Sequence, residues 1–126
     1  MASNSLKVLV CDDSILIRKK LKDILAGAGF TEVFEAVDGQ KAVDSYKQNK
    51  PDLVFMDIVM PVKSGIEAVT EILEFDSSAK VVIASSSGTK THLRKALEAG
   101  AYEFIQKPFE EEQIKNILTN FKKEGE

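Results

Sequence analysis

The chemistry this chain can perform rests on five polar side chains, each at the end of an apolar run. Asp12 and Asp13 follow LKVLVC at 6–11, and Asp57 interrupts the run DLVFMDIVMP at 52–61. Ser85 closes KVVIAS at 80–85, and Lys107 follows AYEFIQ at 101–106. The unbroken apolar stretch before Asp57, bracketed by Pro51 and Pro61, reads as a strand buried on both faces. Asp57 then sits where that strand leaves the sheet, and an acid is costly to bury unless something pairs with it. If the strands run parallel, their ends share one edge, and three carboxylates, a hydroxyl and an ammonium surround one crevice. Carboxylates that close repel one another by roughly 4 kcal/mol per pair at ~4 Å with an effective dielectric of about 20. Some of them would take up protons unless a cation intervened. Carboxylate oxygens with water in the remaining positions suit Mg²⁺, which prefers octahedral oxygen coordination. A magnesium ion with few protein ligands commonly awaits a phosphate, for which the lysine and the hydroxyl are natural partners. Beside such an ion, a carboxylate can attack phosphorus to give an acyl phosphate, a step that needs mainly alignment and charge neutralisation.

Strands and helices must alternate to bring these groups together. After the first strand, Ile17, Leu21, Ile24, Leu25 and Ala28 recur at helical spacing, with Asp13 or Ser14 as the cap and Gly27 and Gly29 as the stop. The run TEVFEA at 31–36 is a more polar strand and suits a sheet edge. Asp38-Gly39 opens a second helix with Ala42, Val43 and Tyr46 inward, and Asn49, Lys50 and Pro51 end it. A third helix at 65–75 starts from a capping box of Ser64 and Glu67, with Ile66, Val69, Thr70 and Leu73 as its expected buried stripe. Ser86, Ser87 and Gly88 form a small-residue loop before a fourth helix at 90–99, and a fifth helix at 110–122 turns Ile114, Ile117, Leu118 and Phe121 inward. Glu110, Glu111 and Glu112 at its start, with Lys122 and Lys123 at its end, complement its dipole. Five β-then-α units predict a doubly wound parallel sheet, with the site beyond the carboxyl ends of the strands.

Composition narrows the class. The 126 residues are enough for one domain with a real core, and a net charge of −3 offers no basic field for nucleic acid. One cysteine, Cys11, cannot form an internal disulfide and fits a reducing compartment. Neither a signal sequence nor an apolar run of membrane-spanning length is present, so a cytoplasmic location is expected. Cys11 is expected to be a buried apolar residue. His92 is expected at the surface, and Lys90 and Arg94 are exposed candidates for partner contact.

The set DD at the first strand end, MDIVMP at the third, a hydroxyl at the fourth and KPF at the fifth resembles the receiver domain of bacterial two-component response regulators, over residues 7–122. The resemblance implies a flavodoxin-like (βα)5 fold with strand order 2-1-3-4-5, an order of which a chemotaxis regulator is a standard example. It also implies residue roles. Asp57 would be the phosphoacceptor, and Asp13 and Asp57 direct Mg²⁺ ligands. The backbone carbonyl of Val59 would be a third ligand, with Asp12 reaching the ion through water. Ser85 would be the switch hydroxyl and Lys107 the phosphoryl contact, with a cis bond between Lys107 and Pro108. Phe104 would be the aromatic that moves inward with Ser85. Two positions depart from the best-known members that act in chemotaxis. Phe104 replaces a tyrosine and so lacks its hydroxyl. Val59 replaces a polar residue, which is expected to change the rate of dephosphorylation.

On this reading, 1–126 is one stand-alone, monomeric receiver domain without an output domain. A sensor histidine kinase of the chemotaxis type would phosphorylate it. The face made by the fourth helix, fifth strand and fifth helix would then change and bind a protein such as a flagellar motor switch or a phosphatase. Neither nucleic acid nor membrane is an expected partner, and it is not an enzyme beyond its own phosphorylation and dephosphorylation. Alternatives are a phosphorelay intermediate that passes its phosphate to a histidine phosphotransfer protein, and a Mg²⁺-dependent phosphohydrolase. The hydrolase would need an aspartate two residues after the nucleophile, where this chain has Val59. A flavin carrier of the same fold would need a phosphate-cradling loop where this chain has Asp12-Asp13-Ser14, and a Walker-type lysine loop is missing.

Overall fold

The computed structural model describes residues 6–86 and 90–124. Five strands, β1 (Lys7–Cys11), β2 (Glu32–Ala36), β3 (Leu53–Asp57), β4 (Val81–Ser85) and β5 (Glu103–Gln106), alternate with five helices. These are α1 (Ile15–Gly27), α2 (Gly39–Asn49), α3 (Gly65–Phe75), α4 (Lys90–Ala99) and α5 (Glu111–Glu124). The strands form one sheet in the order β2-β1-β3-β4-β5, and every pairing is parallel. Both the fold class and the strand order match the sequence expectation.

The period of two along the central strands divides the core into two layers. Val8, Val10, Leu53, Phe55, Val82 and Ala84 point to one face, where Leu21, Ile24 and Leu25 of α1 and Ile114, Ile117, Leu118 and Phe121 of α5 cover them. Leu9, Cys11, Val54, Met56, Val81 and Ile83 point to the other face. Ala42, Val43 and Tyr46 of α2, Ala68, Val69 and Ile72 of α3 and Ala96 of α4 cover that side. All five residues of β3 are buried, so this strand reads as continuous apolar sequence up to Asp57. Burying one side chain the size of Leu53 or Phe55 contributes roughly 1.5–3 kcal/mol, and two such layers fix the height at which the strands end. β2 lies at an edge, as its polarity predicts, with Glu32 and Glu35 exposed.

Helix starts are set by short oxygen side chains. Ser14 accepts from the Ile17 N–H, Asp38 accepts from the Lys41 N–H, and Ser64 and Glu67 form a reciprocal capping box. The α3 stripe differs from expectation. Gly65, Ala68, Val69 and Ile72 are its buried residues, Ile66 and Leu73 are half-buried, and Thr70 is exposed. Thr70 faces water and donates its hydroxyl to the Ile66 carbonyl at 2.9 Å. Ile17 on α1 and Ala28, the residue that caps its end, are likewise half-buried. His92, expected at the surface, is half-buried, because it shares a helical face with the buried Ala96 four residues on. Lys122 donates to the Ala28 carbonyl at 3.1 Å, which ties α5 to the end of α1. The expected loop residues Ser87 and Gly88, and the side chain of Lys123, lie outside the described residues. Among the described residues, no helix is long and apolar enough to cross a membrane.

Between β3 and α3 the chain places Val62 at φ 71°, with its side chain 80% exposed. A β-branched residue is disfavoured there, whereas asparagine tolerates the left-handed region. With little packing to lose, Val62→Asn is expected to stabilise the fold by about 1 kcal/mol in denaturant unfolding; a loss of stability would show that the valine is not strained.

Candidate functional site

Register brings the functional side chains to one level. Cys11 pairs with Met56, so Asp12 and Asp57 are the next residues on neighbouring strands. Asp57 pairs with Ala84, which puts Ser85 one step further along, and Ser85 pairs with Gln106, the residue before Lys107. Carboxylate oxygens of Asp12, Asp13 and Asp57 all lie within 4.8 Å of one another. Asp12 and Asp57 are buried, while Asp13 is exposed at the mouth of the crevice.

The Lys107 ammonium lies between two of these acids, 2.6 Å from Asp12 Oδ2 and 3.4 Å from Asp57 Oδ1. Its position next to Asp12 is not legible in the sequence, where the lysine reads only as a phosphate partner. Three carboxylates and one ammonium leave two negative charges in the crevice. Asp12 is held on every side. Its Oδ1 accepts from the Ser14 N–H at 2.9 Å, and its carbonyl accepts from Arg18 Nη1 at 2.8 Å. Arg18 in turn donates Nε to Glu35 at 2.8 Å, and Lys22 donates to the second Glu35 oxygen at 2.8 Å. Those two cations hold the Glu35 carboxyl below the usual range. Both Asp12 oxygens are therefore already engaged, whereas Asp13 and Asp57 retain oxygens that can face an ion.

Burial pushes the Asp57 carboxyl above the ordinary carboxylate range; Lys107 opposes that shift, and Asp12 and Asp13 add to it. The neighbouring Cys11 thiol is pushed up by burial and, secondarily, by Asp12, so it is an inert core group, as expected.

Ser85 is buried at the end of β4, and its carbonyl accepts from the Lys107 N–H at 2.8 Å. The Lys107–Pro108 bond is cis. Phe104 is half-buried and packs against the layer formed by α2, α3 and α4. Val59 exposes 64% of its surface two residues beyond Asp57. Lys90 and Arg94 are exposed on α4.

Sequence reading misses Gly65 as part of the site. A Cβ on this residue would meet the Asp57 carbonyl oxygen at 2.0 Å, and its N–H donates to the Ile58 carbonyl at 2.7 Å. The available signal is a glycine at the first position of a helix with a complete capping box, where a better helix former would otherwise serve. Arg18 is also missed, because nothing in its spacing distinguishes it from a solvated helix face.

A doubly wound parallel sheet with an acidic cluster and a lysine at its carboxyl edge defines a narrow class of proteins. Residues 8–119 match the model of the response regulator receiver domain, and the chain belongs to that family. It is 41% identical over 117 residues to the chemotaxis protein CheY of Thermotoga maritima, covering 93% of this chain and 98% of that one. It is 46% identical over 108 residues to Protein CcdB of Bacillus subtilis, covering 86% and 90%. Among solved structures, a chain of the CheX-CheY-BeF3-Mg complex from Borrelia burgdorferi superposes with a TM-score of 0.87 at 34% identity, covering 91% of this chain and 87% of that one. As a CheY-like receiver domain, the protein is a phosphoaspartate signalling switch rather than an enzyme that turns over a substrate.

The raised pKa of Asp57 has a consequence for stability. Because its pKa is raised, the folded chain holds the proton on Asp57 more tightly than the unfolded chain does, so stability contributed by that group is present below the unfolded pKa and lost as pH rises through the raised folded one. Asp57→Asn is expected to stabilise the fold near pH 7 without divalent cations, with the gain vanishing at about pH 3, below the ordinary aspartate pKa of about 3.9. Denaturant unfolding at the two pH values checks this; equal gains at both would show that Asp57 is not strained by its charge.

Proposed function

We propose that Asp57 accepts a phosphoryl group from the phosphohistidine of a chemotaxis-type sensor kinase, in a Mg²⁺-dependent reaction. The observation that carries this reading is the convergence of the Asp12, Asp13 and Asp57 oxygens within 4.8 Å, with Lys107 already bound among them. Asp13, Asp57 and the Val59 carbonyl would hold the ion, and Asp12, with both oxygens occupied, would act through a bound water. When bound, the ion supplies charge neutralisation at the phosphoryl oxygens. An Asp57 oxygen attacks phosphorus, the P–N bond to the imidazole breaks, and the imidazole leaves with its electron pair and takes up a proton. Lys107 then trades its contact with Asp57 for a phosphoryl oxygen, and the Ser85 hydroxyl donates to another.

Removing Ser85 from its resting position opens space that Phe104 fills by moving inward. That shift changes the surface of α4, β5 and α5, which binds the next protein in the pathway, such as a flagellar motor switch or a phosphatase. The event is a shift between two packings of one chain. Support for a role in chemotaxis is the similarity to CheY proteins over nearly the whole chain. The switch is proposed to act as a cytoplasmic monomer, with residues 1–126 as one receiver domain. Binding of the beryllofluoride form to a motor-switch protein would favour this output; rapid transfer of the phosphate to a histidine phosphotransfer protein would favour a relay.

Incubation with acetyl phosphate and Mg²⁺ is expected to add one phosphoryl group at Asp57, located by peptide mass analysis, and Asp57→Ala is expected to abolish it. Undiminished labelling of that variant would overturn the assignment. The exposed Val59 offers no hydrogen bond to a water approaching the acyl phosphate. Val59→Asn is therefore expected to speed autodephosphorylation about threefold, equivalent to roughly 0.6 kcal/mol in the barrier. An unchanged rate in single-turnover decay would show that this side chain does not control water access.

A further inference from the structure

Lys107 is placed by its chain neighbours on both sides. On its amino side, its N–H donates to the Ser85 carbonyl at 2.8 Å, which closes β5 against β4. On its carboxyl side, Pro108 and Phe109 lead to α5, and the Phe109 ring is buried at 2% exposure. Beyond the core packing of the Phe109 ring, a polar side chain from a different element also holds this segment. Lys20, on α1, donates from its ammonium to the Phe109 carbonyl at 2.7 Å, and the same ammonium lies 4.6 Å from the centroid of the Phe109 ring. Both contacts favour a cation: the first is a charge-assisted hydrogen bond and the second a cation–π interaction.

The geometry points to Lys20 as a positioning residue for Lys107, acting through the segment after β5; this rests on the phosphoacceptor reading of Asp57. Helix α1 begins immediately after the acids, at the Ser14 cap whose N–H binds Asp12. Lys20 therefore ties the helix that fixes Asp12 to the segment that fixes Lys107. The two groups are joined directly by their 2.6 Å ion pair and indirectly through Lys20 and Phe109. The direct link alone would not survive phosphorylation, because Lys107 must then turn to the phosphoryl oxygens. The indirect link remains and keeps the Lys107 ammonium within reach of the crevice throughout. Lys20 itself touches none of the reacting groups. Other cations near this seam have other partners: Lys19 pairs with Asp23, Lys22 with Glu35, and Lys122 with the Ala28 carbonyl.

Two readouts test this with the full chain. Correlation spectra of the lysine ammonium groups report directly on Lys107, which should be protected from exchange by its ion pair. The Lys107 signal is expected to broaden or vanish in Lys20→Met and to return in Lys20→Arg, which keeps both the donor and the cation. The Lys122 ammonium, held by the Ala28 carbonyl and over the Phe30 ring at 4.9 Å, serves as the control for general loosening and should persist. A Lys107 signal unchanged in Lys20→Met, or lost together with that of Lys122, would overturn the proposal. The second readout is the rate of labelling by acetyl phosphate at saturating Mg²⁺. Lys20→Met should lower it about tenfold and Lys20→Arg no more than about twofold. In a Lys107→Met background, Lys20→Met should cost nothing further; an equal loss there would show that Lys20 does not act through Lys107. If the wild-type protein accepts no phosphoryl group, the phosphoacceptor reading falls, and the ammonium spectra still decide the role of Lys20.

Discussion

The close approach of three carboxylates is the constraint on which the site depends. Asp12, Asp13 and Asp57 bring oxygens within 4.8 Å, and the fold tolerates this because Lys107 lies among them and one acid remains open to water. Repulsion at such distances amounts to several kcal/mol per pair unless compensated. A single ammonium compensates in part and leaves a double negative charge, the amount that a small dication neutralises. The resting site thus carries a net negative charge at a cluster of oxygens that could hold a cation. The raised pKa of Asp57 comes first from its burial, with the neighbouring acids adding a smaller push that Lys107 opposes.

The two-layered core makes this arrangement possible. Leu53, Val54, Phe55 and Met56 are wholly buried in the middle of the sheet, so β3 cannot slide without exposing one layer or the other. Asp57 is thereby fixed at the sheet edge, and parallel pairing puts Asp12 and Ser85 at nearly the same height. The approach of Gly65 to the Asp57 carbonyl locks the start of α3 against the same strand end. Arg18, braced by Glu35 on β2, performs the corresponding task for the Asp12 carbonyl. The acids are presented by the ends of the central strands, with Ser85 and Lys107 at the ends of the two strands beside them.

Much of this is legible in the sequence because it obeys local rules. The alternation of apolar runs and capped helices yields the correct order of elements, and the polarity of TEVFEA places β2 at an edge. The acids, the hydroxyl and the lysine can be assembled because parallel topology converts strand ends into neighbours. Sequence reading fails where side chains choose between alternatives of similar local merit. Helical spacing assigns Thr70 to a buried stripe that in the fold centres on Ala68 and Ile72, a rotation of the helix that apolar spacing alone does not fix. His92 reads as a surface residue, although Ala96 draws its helical face inward. The pairing of Lys107 with Asp12, separated by 95 residues, and the support from Arg18 and Gly65 are contacts between distant segments that leave no periodic trace.

Calorimetric titration with Mg²⁺ tests the electrostatic claim most directly. The expected result is one ion bound per chain, with affinity that falls as pH drops and Asp57 takes up its proton, and with heat that disappears in Asp13→Asn. Absence of binding at millimolar Mg²⁺, or equal binding after removal of Asp13, would mean that the clustered carboxylates are not held together by a dication.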